Sequence, residues 1–497
     1  GKRSRSSYLF NYRYSTMGLI KVFFPPEIKD FVPAYQDLSF KISVPTEKAG
    51  IFSLWGLGSA DRQSQVAEED SSLWETDDDR FSGTIGQQVG AIGLNHRYIF
   101  KKNGYLNTSV AWTGNAMQYE TRVLGYDLLP YDNDSIDAVN YKYTFTSVFN
   151  RKFSALHSNR TGFIVDNMHY NTLLKHAPAY GTELITISDE QGASNLYQLF
   201  TQSKFTLAGI VIINAGLHGH YFDLNNEWVV EPRIGLTYSL GHANSVSLAY
   251  GKHSRVEPLS FYYAGVYEDE GKMYPNKEMK LLKAHHLVMA YEWSIHPNMR
   301  LKIEPYAQFL YDVPVIADSS FSTINFEADW YFNQPLINTG TGWNVGVDFT
   351  LERFLKNGYY YLFTASLFDS KYRGDDGIER NTRFNTGYVL NALYGKEWTL
   401  GARQNKILGV NFRINFTGGK RATPVDHDAS DAISEVVYDY SRLYEERERP
   451  ITYASATLNY RVNKKKHSRI LSVQMMNLFL TKENYGYMYN HREGRVE

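Results

Sequence analysis

Residues 408–417, LGVNFRINFT, alternate without a break. Leu408, Val410, Phe412, Ile414 and Phe416 fall on one face of an extended strand, and Gly409, Asn411, Arg413, Asn415 and Thr417 on the other. A period of two means extended backbone whose faces meet different surroundings. In a soluble sandwich the apolar face meets a second sheet. In a transmembrane barrel it meets lipid, while Asn411, Arg413 and Asn415 look into a wet lumen. One strand does not choose between these, but its recurrence along the chain does.

The pattern returns in paired runs. Residues 90–100 and 105–113 flank Lys101-Lys102-Asn103-Gly104, and 343–354 and 359–373 flank Lys356-Asn357-Gly358. Asn-Gly between alternating runs is a strong hairpin signal. Residues 141–153 and 160–173 are expected to turn through His157-Ser158-Asn159, and 453–463 and 468–479 through a basic turn at 464–466. Longer polar and aromatic connections separate the hairpins, at 124–137, 175–193, 257–282, 314–340 and 418–450. Short turns on one side and long loops on the other are how outer-membrane barrels are built, and a sandwich has no reason to sort connections by parity. The pattern predicts about 19 strands. Pro305, in mid-strand, predicts a bulge because it lacks a ladder donor.

Composition narrows the alternatives. No apolar run approaches the roughly 20 residues of a transmembrane helix; the best, AGIVIINA at 208–215, is far too short. Such a count does not exclude a barrel, which hides its membrane face in every second residue. The 39 tyrosines against 28 phenylalanines suit strand ends that are apolar on one side and wet on the other. A net charge of −1 gives no reason to expect a nucleic-acid partner. With no cysteine there is no thiolate metal site. No linker divides the 497 residues, which read as one β-barrel domain.

No catalytic constellation emerges, so the chain reads as a non-enzyme without a cofactor or a bound metal. Asp77-Asp78-Asp79 and Asp426-His427-Asp428 lack the spacing of a calcium loop and read as solvated acidic segments. His285 and His286 alternate faces, so one strand cannot offer both to one ion. Tyr262, Tyr263, Tyr267, Trp330 and Tyr331 sit in predicted external loops, where aromatic planes suit sugars or flat apolar ligands. Loop self-packing is the commoner use of such residues. Arg233, Asn411, Arg413, Asn415 and Arg461 are expected to face the lumen.

Several segments resemble TonB-dependent outer-membrane receptors, in the branch that carries a carboxypeptidase-like regulatory domain ahead of its plug. They are Glu231-Pro232-Arg233-Ile234-Gly235-Leu236, SLAYG at 247–251 with Pro258, Gln308 with Tyr311 and Val313-Pro314, SLFDSKY at 366–372, and Gly418-Gly419-Lys420-Arg421. Asn477, Asn484 and Tyr489 fall where that family carries its last external loop. The resemblance implies a plug filling the barrel and touching its lumen residues. It also implies about 22 strands, so the plug, the first strands and the last strand are expected outside this sequence.

The fold expected is therefore all-β, a transmembrane antiparallel up-and-down barrel. The function implied is import of a scarce nutrient across the outer membrane of a Gram-negative bacterium. The implied partners are outer-membrane lipid, the TonB-ExbB-ExbD complex acting through the plug, and a small-molecule, glycan or peptide substrate. A surface lipoprotein lid stands open as a further partner. The alternatives are a passive porin-like channel and a soluble all-β carbohydrate-binding protein.

Overall fold

The computed structural model describes residues 6–15, 34–101, 103–179, 181–268, 271–326, 332–483 and 486–497. They form one antiparallel meander in which each long strand pairs with the next. In chain order the wall strands are β1 Ser7–Tyr14, β2 Ala34–Pro45, β3 Ile51–Gln65, β4 Phe81–Phe100, β5 Gly104–Leu124, β6 Pro130–Lys152 and β7 His157–His176. Then come β8 Ile185–Leu207, β9 Val211–Phe222, β10 Glu227–Ser239, β11 Asn244–Arg255, β12 Leu282–His296 and β13 Met299–Val315. The last are β14 Ile337–Lys356, β15 Tyr359–Arg373, β16 Tyr388–Leu400, β17 Lys406–Thr417, β18 Ile451–Asn463 and β19 Ser468–Met475. A three-residue strand, Glu379–Asn381, adds to the end of β15. Among the described residues no ladder joins β1 to β19, so the sheet is open between them.

Alternation decides which way each side chain points. On β10, Ile234, Leu236 and Tyr238 are exposed on the outside, while Arg233 and Gly235 face inward with the polar and small residues of neighbouring strands. The same outward row runs through Leu248 and Tyr250 of β11, Leu287 and Met289 of β12, and Phe412 and Ile414 of β17. In water each half-exposed side chain of this kind forgoes on the order of 1 kcal/mol. A continuous band of them around a sheet is a surface for lipid.

Connections sort by end. Turns at 46–50, 101–103, 153–156, 208–210, 240–243, 297–298, 357–358, 401–405 and 464–467 lie at one end, and the loops 66–80, 256–281, 316–336, 374–387 and 418–450 at the other. One of the two-residue turns has a simple cause: Asn357 and Gly358 both take positive φ, 58° and 76°, as a two-residue hairpin with right-handed twist requires.

Three expectations need correction. The connections foreseen at 124–137 and 175–193 are mostly strand, because β5 and β6 leave only 125–129 between them, and β7 and β8 only 177–184. There the ladder continues through polar residues, as where Thr121 and His176 stand directly opposite Asp134 on either side and both bond it, so pairing persists without a clean apolar alternation. The turn foreseen at His157-Ser158-Asn159 lies instead at 153–156; His157 begins β7, stacked between Phe153 and Phe205. Pro305 makes no bulge. It stays in register opposite Val347 of β14, and the β12 ladder skips two pairs beside it and resumes unshifted at Tyr291 and Ile303.

Candidate functional site

The apolar core of the molecule lies at the loop end. Loop 256–281 folds inward through a short helix, Leu259–Tyr262, and meets loop 316–336. Leu259, Phe261, Tyr262, Tyr263, Met279, Leu281 and Leu336 are buried there on Tyr170, Phe222 and Val229 of the wall. Phe261 lies 4.9 Å from Phe326 and 4.8 Å from Phe332, ring to ring, in tilted and edge arrangements. The two loops therefore behave as one packed body across the mouth.

This packing corrects the reading of Tyr262 and Tyr263 as ligand-presenting residues. Tyr262 is 0% exposed and sits edge-on to Phe222 at 5.2 Å. Tyr263 donates its hydroxyl to the Ala193 carbonyl at 2.8 Å, over Gly192, where any Cβ would collide with the ring. Burial pushes both phenols above their ordinary range. Both rings serve the loop core, since their planes have more apolar surface to cover there than solvent would give them. Tyr267 contributes backbone to the pair Val266–Glu268 and Gly271–Met273; its side chain, with Trp330 and Tyr331, lies outside the described residues. Under the helix remains a cavity of about 660 Å³, lined by Asn115, Asn140, Lys142, Met168, Tyr170 and Phe261 among others.

At the rim Asp223, just after β9, takes over where the β8–β9 ladder ends at Leu196 and Phe222. It accepts Ser194 Oγ at 2.5 Å, the Asn195 amide at 2.7 Å and Asn195 Nδ2 at 2.6 Å. Burial alone would raise its carboxyl, but these donors hold it below the ordinary range. The acidic segments have local structural roles. Asp79 accepts the Thr76 amide ahead of a short 3₁₀ turn, and Asp426 caps the helix His427–Ile433.

The lumen wall carries two polar lattices. On β13 to β17 amides and hydroxyls pair across strands: Asn344 bonds Gln308, Ser370 bonds Asn344, Asn415 bonds Asn391 at 2.7 Å, and Tyr360 bonds Asn411 at 2.5 Å, beside the ion pairs Arg300–Glu352 and Lys302–Glu304. Arg413 of the same face is exposed to the lumen. Arg461 of β18 pairs with Glu397 at 3.6 Å.

On β7 to β12 the wall is charged and imidazole-rich. Glu231 is 1% exposed and accepts four donors: His218 Nδ1 at 2.7 Å, Arg233 Nη2 at 2.6 Å, the Ser254 amide at 2.5 Å and Ser254 Oγ at 2.6 Å. The β10–β11 ladder stops at Arg233 and Gly251, so this carboxylate takes over a backbone donor that strand pairing leaves. His218, His220 and Glu231 present atoms within 4.8 Å of one another, close enough for a metal set. The carboxylate is already committed to a guanidinium and three other donors, however, and the trio is held as a hydrogen-bonded network. Sequence reasoning named Arg233 but not its neighbours. The signal was His218-Gly219-His220, which a period of two places on one face.

No family model and no curated protein matches this sequence. Solved structures match its fold. The ferric yersiniabactin uptake receptor FyuA of Yersinia pestis superposes with TM-score 0.64 at 11% identity, covering 95% of this chain and 70% of that one. The ferric-catecholate import receptor Fiu of E. coli K12 gives 0.63 at 10% identity, covering 90% and 70%. The pyoverdine outer membrane receptor FpvA of Pseudomonas aeruginosa PAO1 gives 0.63 at 10% identity, covering 99% and 72%.

Proposed function

We propose that this chain, which shares the barrel fold of TonB-dependent outer-membrane receptors, works as the barrel of such a receptor in a Gram-negative outer membrane, importing a small molecule into the periplasm. The observation that carries this reading is the pairing of a lipid-suited outer band with a polar inner face, covered at one end by the packing of loops 256–281 and 316–336. The loop end faces outward, because long loops are external and short turns periplasmic in such barrels. Ligand enters the cavity beneath the helix Leu259–Tyr262, where aromatic edges, amides and Lys142 meet it. Energy from TonB-ExbB-ExbD then drives passage through a plug seated on the lumen lattices, with no covalent step.

Two of the solved structures with this fold are receptors for ferric-catecholate import and ferric yersiniabactin uptake. That favours a small organic ligand or its metal complex over a bulk solute; glycans and peptides are the next class. The test is uptake by cells carrying and lacking the gene, each with and without TonB, after mass spectrometry of what co-purifies from native outer membranes. Uptake that needs both gene and TonB supports the reading. Uptake indifferent to TonB makes the protein a passive channel, and recovery without detergent removes the barrel from the membrane altogether. A lipoprotein in the purified complex would identify a lid.

A further inference from the structure

One patch of the charged lattice is left without a partner. Arg233 of β10, Gly251 of β11 and His286 of β12 lie directly opposite one another on three adjacent strands. Gly251 brings no side chain, and His253 of β11 folds back into that space: a Cβ built on Gly251 would lie 2.6 Å from His253 Nε2. The His253 and His286 rings are 4.6 Å apart. Arg160 of β7, against Phe200 at 5.4 Å, lines the same cavity of about 630 Å³, together with Gln198 and Gln202.

Charge is unbalanced here. Among the described residues, neither imidazole has a hydrogen-bond or ion-pair partner, and Arg160 has no carboxylate. Arg233 spends one nitrogen on Glu231, which already accepts four donors and has little capacity left. Asp166, the nearby acid of β7, is taken by Thr144, Gln198 and Lys142. Two guanidiniums therefore stand against one saturated carboxylate, with two free imidazoles between them. Strands about 4.8 Å apart put Arg233 and His286 roughly 10 Å apart across Gly251, a gap their side chains can close on a group the size of a carboxylate or phosphate.

We propose that Arg233, His253 and His286, with Arg160 across the cavity, form an oxyanion-binding station on the lumen wall for a carboxylate or phosphate group of a small molecule. It is distinct from the cavity under the loop core. Its chemistry is charge-assisted hydrogen bonding, with the guanidinium fork as anchor and the imidazole N–H groups as orienters.

The full-length protein in detergent is titrated with citrate and, separately, inorganic phosphate, each against sodium chloride at equal ionic strength, following the thermal midpoint and binding heat. Saturable binding by at least one oxyanion, absent with chloride, is expected. The double variant His253→Gln/His286→Gln should weaken it roughly tenfold, as expected for losing charge-assisted bonds, and Asn391→Ala in the amide lattice should leave it unchanged. If the double variant does not fold, Arg160→Gln, whose guanidinium holds no ion pair, should weaken binding instead. Equal responses to chloride and both oxyanions, or identical affinity in wild type and a folded variant, would overturn the station. These readouts are independent of uptake, so they stand whether or not the transport reading holds.

Discussion

The two lumen lattices solve one problem differently. A wall strand must satisfy polar side chains that face water on one side only. The β13–β17 arc does so with neutral pairs, such as Asn415 with Asn391 and Tyr360 with Asn411, beside partly exposed ion pairs such as Arg300 with Glu352. The β9–β11 arc does so with a buried carboxylate shared among an imidazole, a guanidinium and a backbone amide. Neutral pairs each contribute about 1 kcal/mol and are individually replaceable. A buried charge is not, because removing it strands every donor aimed at it. One arc is built for rigidity, and the other concentrates consequence in a single residue.

The largest expected effect follows directly. Glu231→Ala should lower stability by roughly 3–5 kcal/mol, the range for breaking a buried ion pair, read as a lower unfolding midpoint in guanidinium with detergent held constant. Glu231→Gln should cost less, since a carbonyl oxygen still accepts from His218 or Ser254. If Glu231→Ala unfolds at the wild-type midpoint, the two arcs are energetically alike and the contrast fails.

Next in size is the amide arc. Asn415→Ala removes the 2.7 Å bond to Asn391 and should cost about 1 kcal/mol. A loss as large as that of Glu231→Ala would show that the arc acts as one cooperative unit. Smaller again is Arg461→Gln. Its 3.6 Å pair with Glu397 joins two partly exposed side chains, so the expected change is within about 1 kcal/mol and fades with salt.

The sequence made one arc far more legible than the other. The alternation of residues 408–417 announces β17, and Asn411 and Asn415 project from it inward, where Asn415 meets Asn391 of adjacent β16 and Asn411 meets Tyr360 of β15. The charged site depends on the register of three successive strands: Arg233, Gly251 and His286 come together only once β10, β11 and β12 align. His285 and His286 do alternate faces on β12: His285 meets Tyr250, while the imidazole beside His286 is His253 of neighbouring β11. Tyr262 and Tyr263 show the same limit. An aromatic loop residue reads as exposed until a second loop is known to cover it, and loop 316–336 does so. The strand ends were hidden for a simpler reason: beyond the apolar band polar residues such as Thr121, Asp134 and His176 interrupt the alternation, and its signal fades there.

The smallest expected effects lie outside the wall, where two loop carboxylates are shifted in opposite directions. The donors around Asp223 hold its carboxyl below the unfolded value of 3.8. Its contribution is therefore present above that pH and is lost as pH falls through the folded value. Glu448, in loop 418–450, is raised above 4.5, chiefly by burial and against the pull of Lys420 and Arg383. Its protonated form is the one favoured on folding, so its contribution is full below 4.5 and is lost as pH rises through the folded value. Asp223→Asn should thus differ from wild type most at neutral pH, with the difference shrinking only in strong acid. Glu448→Gln should gain on wild type as pH rises from 4 toward neutrality. Limited proteolysis of the loops across this range reads both. Parallel profiles for the two variants would mean that the capping bonds at Asp223 do not outweigh its burial.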